Sequence, residues 1–182
     1  MKLLLTGGPR SGKSTLLRRL VDAFPGNAGG MLAHELLGAD RRRCGFELLV
    51  AWRPAGGTLQ VVERKVLALL DPVFATQVGR YSVSEEAMAL AVRAIDAAMH
   101  EGGLVIVDEI GPLQIGSPAF QDAVLRCLDG PGHLLATLGQ SQDAFAERVK
   151  ARPGVRVVEV TRQNRQHLAE GLRHWVTGEH RI

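Results

Sequence analysis

Aromatic side chains are scarce in this 182-residue chain: two Trp, one Tyr and five Phe, 4% of the composition. They are scattered, so they offer no platform on which nucleic-acid bases could stack. Charge of one sign is also in short supply. The formal net charge is only +3, and its one cluster, Arg41-Arg42-Arg43, reads as a solvated basic turn rather than a stripe that tracks phosphates. No nucleic-acid partner is expected. The two cysteines, Cys44 and Cys127, stand far apart in no metal or redox spacing, which excludes a disulfide framework and makes a reducing cytoplasm the expected setting. No apolar run approaches the roughly 18 residues of a membrane span. Leu3-Leu4-Leu5 after Lys2 stops at Thr6, short of the roughly 7 to 15 apolar residues of a secretory signal, so it predicts a buried strand instead. His34-Glu35 does not open a zinc motif, because Gly38 stands where the second His would be. No structural metal is expected.

What is present is a globular balance. Apolar residues make up 46% of the chain, enough for one substantial core, and the length predicts a single domain over 1–182. The strand at 2–5 breaks into Gly7 and Gly8, and a helix starts near Lys13, with Leu16, Leu17, Leu20, Val21 and Phe24 at helical spacing. From Gly29 to about Arg64 the pattern is β. Two strand-like runs, 46–52 and 58–62, flank Pro54-Ala55-Gly56-Gly57 and predict a hairpin. Thereafter helices at about 84–99, 118–128, 143–150 and 163–176 alternate with apolar strands at 104–108, 133–138 and 155–160. Buried strands alternating with amphipathic helices predict an α/β fold, a mostly parallel sheet covered on both faces, with the β-hairpin inserted.

Gly7-Gly8-Pro9-Arg10-Ser11-Gly12-Lys13-Ser14 meets the pattern G-x-x-x-x-G-K-[ST], between the first strand and the first helix where it must lie to function. Glycines let the loop aim successive backbone N–H groups inward at an anion. Lys13 can reach the β- and γ-phosphates, and the Ser14 hydroxyl can ligate Mg²⁺. Thr15 either reaches the α-phosphate or caps the helix, and Arg10 either joins the phosphate cradle or points to solvent. At the carboxyl end of the strand at 104–108, Asp108 can hold a Mg²⁺ shell. Glu109 can deprotonate an attacking water, provided that this strand neighbours the first. Thr137, ending another apolar run, could bind that water or the γ-phosphate, or satisfy local backbone groups. A hydrolase also needs positive charge on the transferred phosphoryl oxygens, for which Arg41, Arg42, Arg43 and Arg80 are the loop candidates. Asn164 and Arg165 are candidates for base-side contacts.

These residues together resemble the THEP1-type nucleoside-triphosphatases, known in vertebrates as cancer-related nucleoside-triphosphatases. Beyond the phosphate loop the likeness takes in residues 30–35, Arg42-Arg43-Cys44-Gly45-Phe46, Val78-Gly79-Arg80-Tyr81-Ser82-Val83, Val107-Asp108-Glu109-Ile110-Gly111, Ser117 with Phe120, and the stretch 160–165. The Asp-Glu-Ile-Gly extension, the Val-Gly-x-Tyr run and the late Asn-Arg are its discriminating parts. The chain departs from the family in having Pro112-Leu113-Gln114 where a basic residue and Met-Glu usually follow, and Leu37 at the usual arginine of Glu-Val-Arg. No base or partner contact is carried over from those segments. The resemblance implies a three-layer P-loop fold of RecA-like, ASCE type. It also implies slow, Mg²⁺-dependent hydrolysis of ATP, GTP and other nucleoside triphosphates, with Glu109 activating water. A nucleotide or small-molecule kinase uses the same cradle, and a nucleotide-dependent switch uses it as a timer.

Overall fold

A computed structural model describes residues 1–139 and 143–178. Strand β1 (Lys2–Thr6) is the Leu3-Leu4-Leu5 run, and α1 (Lys13–Ala23) follows the glycine loop. Three long strands come next, β2 (Ala28–Leu37), β3 (Arg43–Arg53) and β4 (Gln60–Leu69), then the short β5 (Thr76–Val78) and β6 (Tyr81–Val83). The chain continues through α2 (Glu85–His100), β7 (Leu104–Ile110), α3 (Pro112–Ile115), α4 (Pro118–Asp129), β8 (His133–Leu138), α5 (Ala144–Lys150), β9 (Val155–Glu159) and α6 (Arg165–Thr177). Three helices start on side chains suited to the task. Ser84, Ser117 and Asp143 each accept a hydrogen bond from a backbone N–H of the first turn, satisfying a donor that the helix itself cannot.

The nine strands form one sheet in the order β5-β6-β4-β3-β2-β7-β8-β1-β9. Pairing from β2 through β7, β8 and β1 to β9 is parallel, and from β2 through β3, β4 and β6 to β5 it is antiparallel. The sheet is therefore mixed, not mostly parallel. The expected hairpin is there as β3–β4, turning at Pro54 to Gly57 with a Gly57 N–H to Pro54 carbonyl bond of 2.9 Å. It is one part of a larger antiparallel extension, because β2 turns back into β3 and two further strands join β4. The condition set for Glu109, that β7 neighbour β1, is not met, because β8 lies between them; the end of β7 nevertheless reaches α1 through the Ser14–Asp108 hydrogen bond.

Strand period decides which residues face which helices. Leu4, Val105, Val107, Leu134 and Ala136 point to one side, into a core with Ala91 and Ile95 of α2, Phe120 and Val124 of α4 and Phe145 of α5. Leu3, Leu5, Leu104, Ile106 and Leu135 point to the other, against Leu16, Leu17 and Leu20 of α1 and Leu172 and Val176 of α6. Every one of the strand residues just named is at most 2% exposed. Burying a leucine in this way stabilises by about 1.5–3 kcal/mol, and truncating the fully buried Leu17 to Ala would cost about 2–5 kcal/mol. The two cores hold β1, β8 and β7 rigidly, so that their carboxyl ends form a fixed platform.

Candidate active site

The phosphate loop leaves β1 at Gly7, whose φ of +138° and close approach to β9 both require glycine: a Cβ there would lie 2.3 Å from the Val160 carbonyl oxygen. Gly12, at φ +105°, is the N-cap of α1 and supplies no side-chain cap. The first N–H groups of α1 are thus left for an anion, on the positive end of the helix dipole. Lys13 folds back over the loop, its Nζ donating to the carbonyls of Gly7 (2.9 Å) and Gly8 (3.2 Å). Ser11 is buried, and its hydroxyl has no hydrogen-bond partner among the described residues. Thr15 is exposed on α1 outside the lining of the cleft.

Loop and strand end are joined by one carboxylate. Asp108 Oδ1 accepts from Ser14 Oγ at 3.2 Å and from Thr137 Oγ1 at 2.5 Å. Three elements, α1, β7 and β8, thereby converge on a side chain that is 4% exposed. Thr137 donates its hydroxyl proton to Asp108, not to a local backbone group. Burial pushes the Asp108 carboxyl above its ordinary range; the Thr137 and Ser14 hydrogen bonds and the charges of Arg18 and Lys13 pull it back.

Glu109 is set differently. Burial raises its pKa too, opposed by the Lys13 charge and reinforced by Asp108. Among the described residues none donates a hydrogen bond to its carboxylate, which sits between two glycines: a Cβ on Gly139 would lie 3.2 Å from Oε1 and one on Gly111 3.3 Å from Oε2. A carboxylate held back from water, unpaired and raised in pKa, has the properties of a proton acceptor.

Gly7, Pro9, Arg10, Lys13, Ser14, Asp108, Glu109 and Thr137 line one cleft of about 630 Å³. Its far wall comes from β2 and β3, from which only Arg43 was among the residues expected at the site. Ala33 and Glu35, two apart on β2, face inward, and Phe46 sits opposite Glu35 in the β2–β3 register. Arg43 completes the wall, its Nη1 donating to Glu35 Oε1 at 2.8 Å. Of the four expected loop arginines only Arg43 reaches the cleft. Arg41 and Arg42 are exposed in the turn between β2 and β3, and Arg80 lies over the Tyr81 ring. The spacing of Glu35 with Ala33 was the one signal that could have found this wall. The late Asn-Arg pair divides. Asn164 closes the β9–α6 turn, accepting from Thr161 N–H at 2.8 Å and donating to the Glu159 carbonyl at 2.9 Å, while Arg165 packs beside Gly12.

One hydroxyl and one carboxylate, both hard oxygen donors, suit Mg²⁺, which keeps most of its shell as water and substrate oxygens. Among the described residues no group of three or more His, Cys, Asp or Glu gathers as a metal cage. A second cavity of about 580 Å³ lies between α2 and α3–α4, lined by apolar residues such as Val78, Met88, Val92 and Leu113, and it shares no residue with the cleft. Chemistry belongs to the polar cleft, where charge, hydroxyls and loop converge. Among the described residues no helix is long and apolar enough to cross a membrane.

A family model described as NTPase matches residues 2–172. The chain is 36% identical over 173 residues to the nucleoside-triphosphatase THEP1 of Thermotoga petrophila, covering 94% of this chain and 90% of that protein. It is 34% identical over 172 residues to the protein of the same name from Methanothermobacter thermautotrophicus, covering 92% and 91%. Among solved structures it resembles the crystal structure of THEP1 from Aquifex aeolicus, with a TM-score of 0.78, 26% identity and 94% and 96% coverage. It also resembles the solution structure of a human cancer-related nucleoside triphosphatase, with a TM-score of 0.73, 26% identity and 99% of each chain covered.

Proposed function

This chain belongs to the NTPase family and is a nucleoside-triphosphatase, and from that premise we propose that one P-loop domain of RecA-like, ASCE type hydrolyses nucleoside 5′-triphosphates in the cleft between its phosphate loop and Glu109. The products are the diphosphate and orthophosphate; the reaction needs Mg²⁺, accepts ATP, GTP and other nucleoside triphosphates, and is slow. The observation that carries this reading is the convergence of Ser14 and Thr137 on Asp108, with Glu109 beside it in the same cleft as Lys13.

In this reading the backbone N–H groups of Arg10, Gly12, Lys13 and Ser14, at the N-terminus of α1, hold the β- and γ-phosphates. Lys13 exchanges the carbonyls of Gly7 and Gly8 for phosphate oxygens, and its charge offsets the negative charge of the γ-phosphoryl group. Ser14 and Asp108 would hold Mg²⁺, which supplies Lewis-acid charge to the phosphate oxygens when bound. Glu109 takes a proton from water as the water oxygen bonds to the γ-phosphorus; the bond from that phosphorus to the β–γ bridging oxygen breaks, and the electron pair leaves with the diphosphate. Thr137 keeps Asp108 ionised and oriented.

Two features support the finer claims. Among the described residues the cleft lining holds no Asn or Gln with which to read a base edge, and Phe46 can stack on any base, which favours broad specificity. Glu109 lacks an orienting hydrogen bond among the described residues, so its geometry is not fixed in advance of the reaction, which favours low turnover. The test is phosphate release from ATP, GTP, CTP and UTP with no acceptor present, with and without Mg²⁺. Comparable, Mg²⁺-dependent release from all four is expected. Release that requires an added acceptor would instead make the protein a kinase.

A further inference from the structure

We propose that Arg43 is the arginine that stabilises the γ-phosphoryl group in the transition state, and that Glu35 holds it in reserve until a triphosphate arrives. The inference rests on the hydrolase reading and concerns how that site is completed. It starts from placement. Arg43 shares a cleft with Lys13, Ser14 and Glu109 yet comes from the opposite wall, so that a phosphoryl group on the loop lies between the two. Arg10, the other arginine in the lining, is exposed at the loop tip with φ of +59° and belongs to the cradle itself.

Arg43 is also the arginine whose direction is fixed. Its guanidinium lies 5.2 Å from the centroid of the Phe46 ring, and Phe46 in turn packs edge-on against Tyr81 at 5.5 Å. That stack can remain while the terminal nitrogens change partner, because Glu35 accepts from Nη1 alone. The Arg43–Glu35 pair is easily exchanged. Its side chains are 39% and 47% exposed, and a pair so open to solvent shifts an equilibrium by no more than about fivefold. A γ-phosphate carries more charge than one carboxylate and presents several oxygens to the planar guanidinium fork, so it displaces Glu35. A diphosphate lacks that group and leaves Arg43 on Glu35. The cleft thereby distinguishes triphosphate from diphosphate by which acid holds one arginine.

Two substitutions break the same ion pair with opposite consequences. Arg43→Ala should lower kcat by about 100-fold, leave diphosphate affinity and thermal unfolding close to wild type, and abolish capture of the diphosphate–aluminium fluoride complex that mimics the transition state. Glu35→Gln frees the arginine; it should keep kcat, lower KM by up to about fivefold and retain aluminium fluoride capture. If Arg43 served only to brace β2 against β3 through Glu35, Glu35→Gln would reproduce the loss seen with Arg43→Ala, and the proposal is overturned. It is equally overturned if Arg43→Ala keeps kcat within about threefold or loses affinity for triphosphate and diphosphate alike. Wild-type protein releasing no phosphate without an acceptor would remove the hydrolase reading and Arg43 with it. Normal wild-type release combined with unaltered kcat in Arg43→Ala would remove Arg43 alone.

Discussion

Replacing Thr137 by Val keeps the branched shape and deletes the hydroxyl that donates to Asp108 Oδ1 at 2.5 Å. Thr137 is 0% exposed and Asp108 4%, so no bulk water takes the vacated place. A hydrogen bond to a charged group contributes about 1.5–3 kcal/mol, which in a chain of this size corresponds to a fall in Tm of about 3–12 °C. The loss should depend on pH, with a definite sign. Burial already raises the folded pKa of Asp108 above its unfolded value, and the Thr137 bond is the first of the interactions that pull it back. Removing that bond raises the folded pKa further. Below the unfolded value both states are protonated and the substitution loses nothing through this carboxylate. Above the folded value the carboxylate must be ionised without its donor, and the full cost is present. Thermal unfolding of ligand-free protein between about pH 4.5 and 8 should therefore show a gap between wild type and Thr137→Val that widens as pH rises, while Thr137→Ser, which keeps the donor, stays near wild type. A gap that is the same at every pH, or below about 0.5 kcal/mol, would refute the coupling of Thr137 to Asp108.

Five further outcomes are expected. Lys13→Ala removes the only ammonium in the cleft lining among the described residues and should weaken ATP binding or turnover by about 100-fold or more, read by fluorescent-nucleotide titration and phosphate release. Gly139→Ala sets a Cβ 3.2 Å from Glu109 Oε1, which should displace the carboxylate and lower kcat while ATP affinity changes little. Because burial raises Glu109 above the usual carboxylate value, phosphate release should fall as pH drops through that raised pKa. Ligand-free Glu109→Gln should be more heat-stable than wild type at neutral pH, with the advantage fading toward acid, where Glu109 is protonated in both states. Asn164→Ala should cost about 1–3 kcal/mol of stability through its two turn hydrogen bonds and leave the ratio of ATP to GTP turnover unchanged; an altered ratio would return Asn164 to the base site.

The parts of the fold that could be read from sequence are those governed by local rules. Gly7 to Ser14 is legible because positive φ, a helix start and a phosphate nest all act within eight consecutive residues. The apolar run into Asp108-Glu109 is legible because a strand buried on both faces has no polar interruptions. Strand β2 opens the stretch that reads as β from Gly29, although Gly29 and Gly30 lack the side chains that mark a strand. Their absence of side chains serves packing instead: a Cβ on Gly30 would lie 2.1 Å from the Ile106 carbonyl oxygen, and one on Gly29 2.5 Å from the Trp52 ring. Strand order was not legible, because β8 enters between β1 and β7 through pairings set more than a hundred residues apart in the chain. Site membership of Glu35 and Phe46, and the choice of Arg43 among the four candidate arginines, depend on the same long-range register. So does the bond that takes Thr137 to Asp108 rather than to water.

The central claim is that Glu109 activates water on a triphosphate held by Lys13, Ser14 and the loop. Its most direct test is single-turnover phosphate release from ATP by Glu109→Gln with Mg²⁺ and protein in excess, beside a measurement of ATP affinity. The amide matches the carboxylate in shape and cannot accept the proton. ATP should bind within about threefold of wild type while phosphate release slows by about 100-fold or more. A variant that binds ATP normally and releases phosphate at close to the wild-type rate would contradict the account.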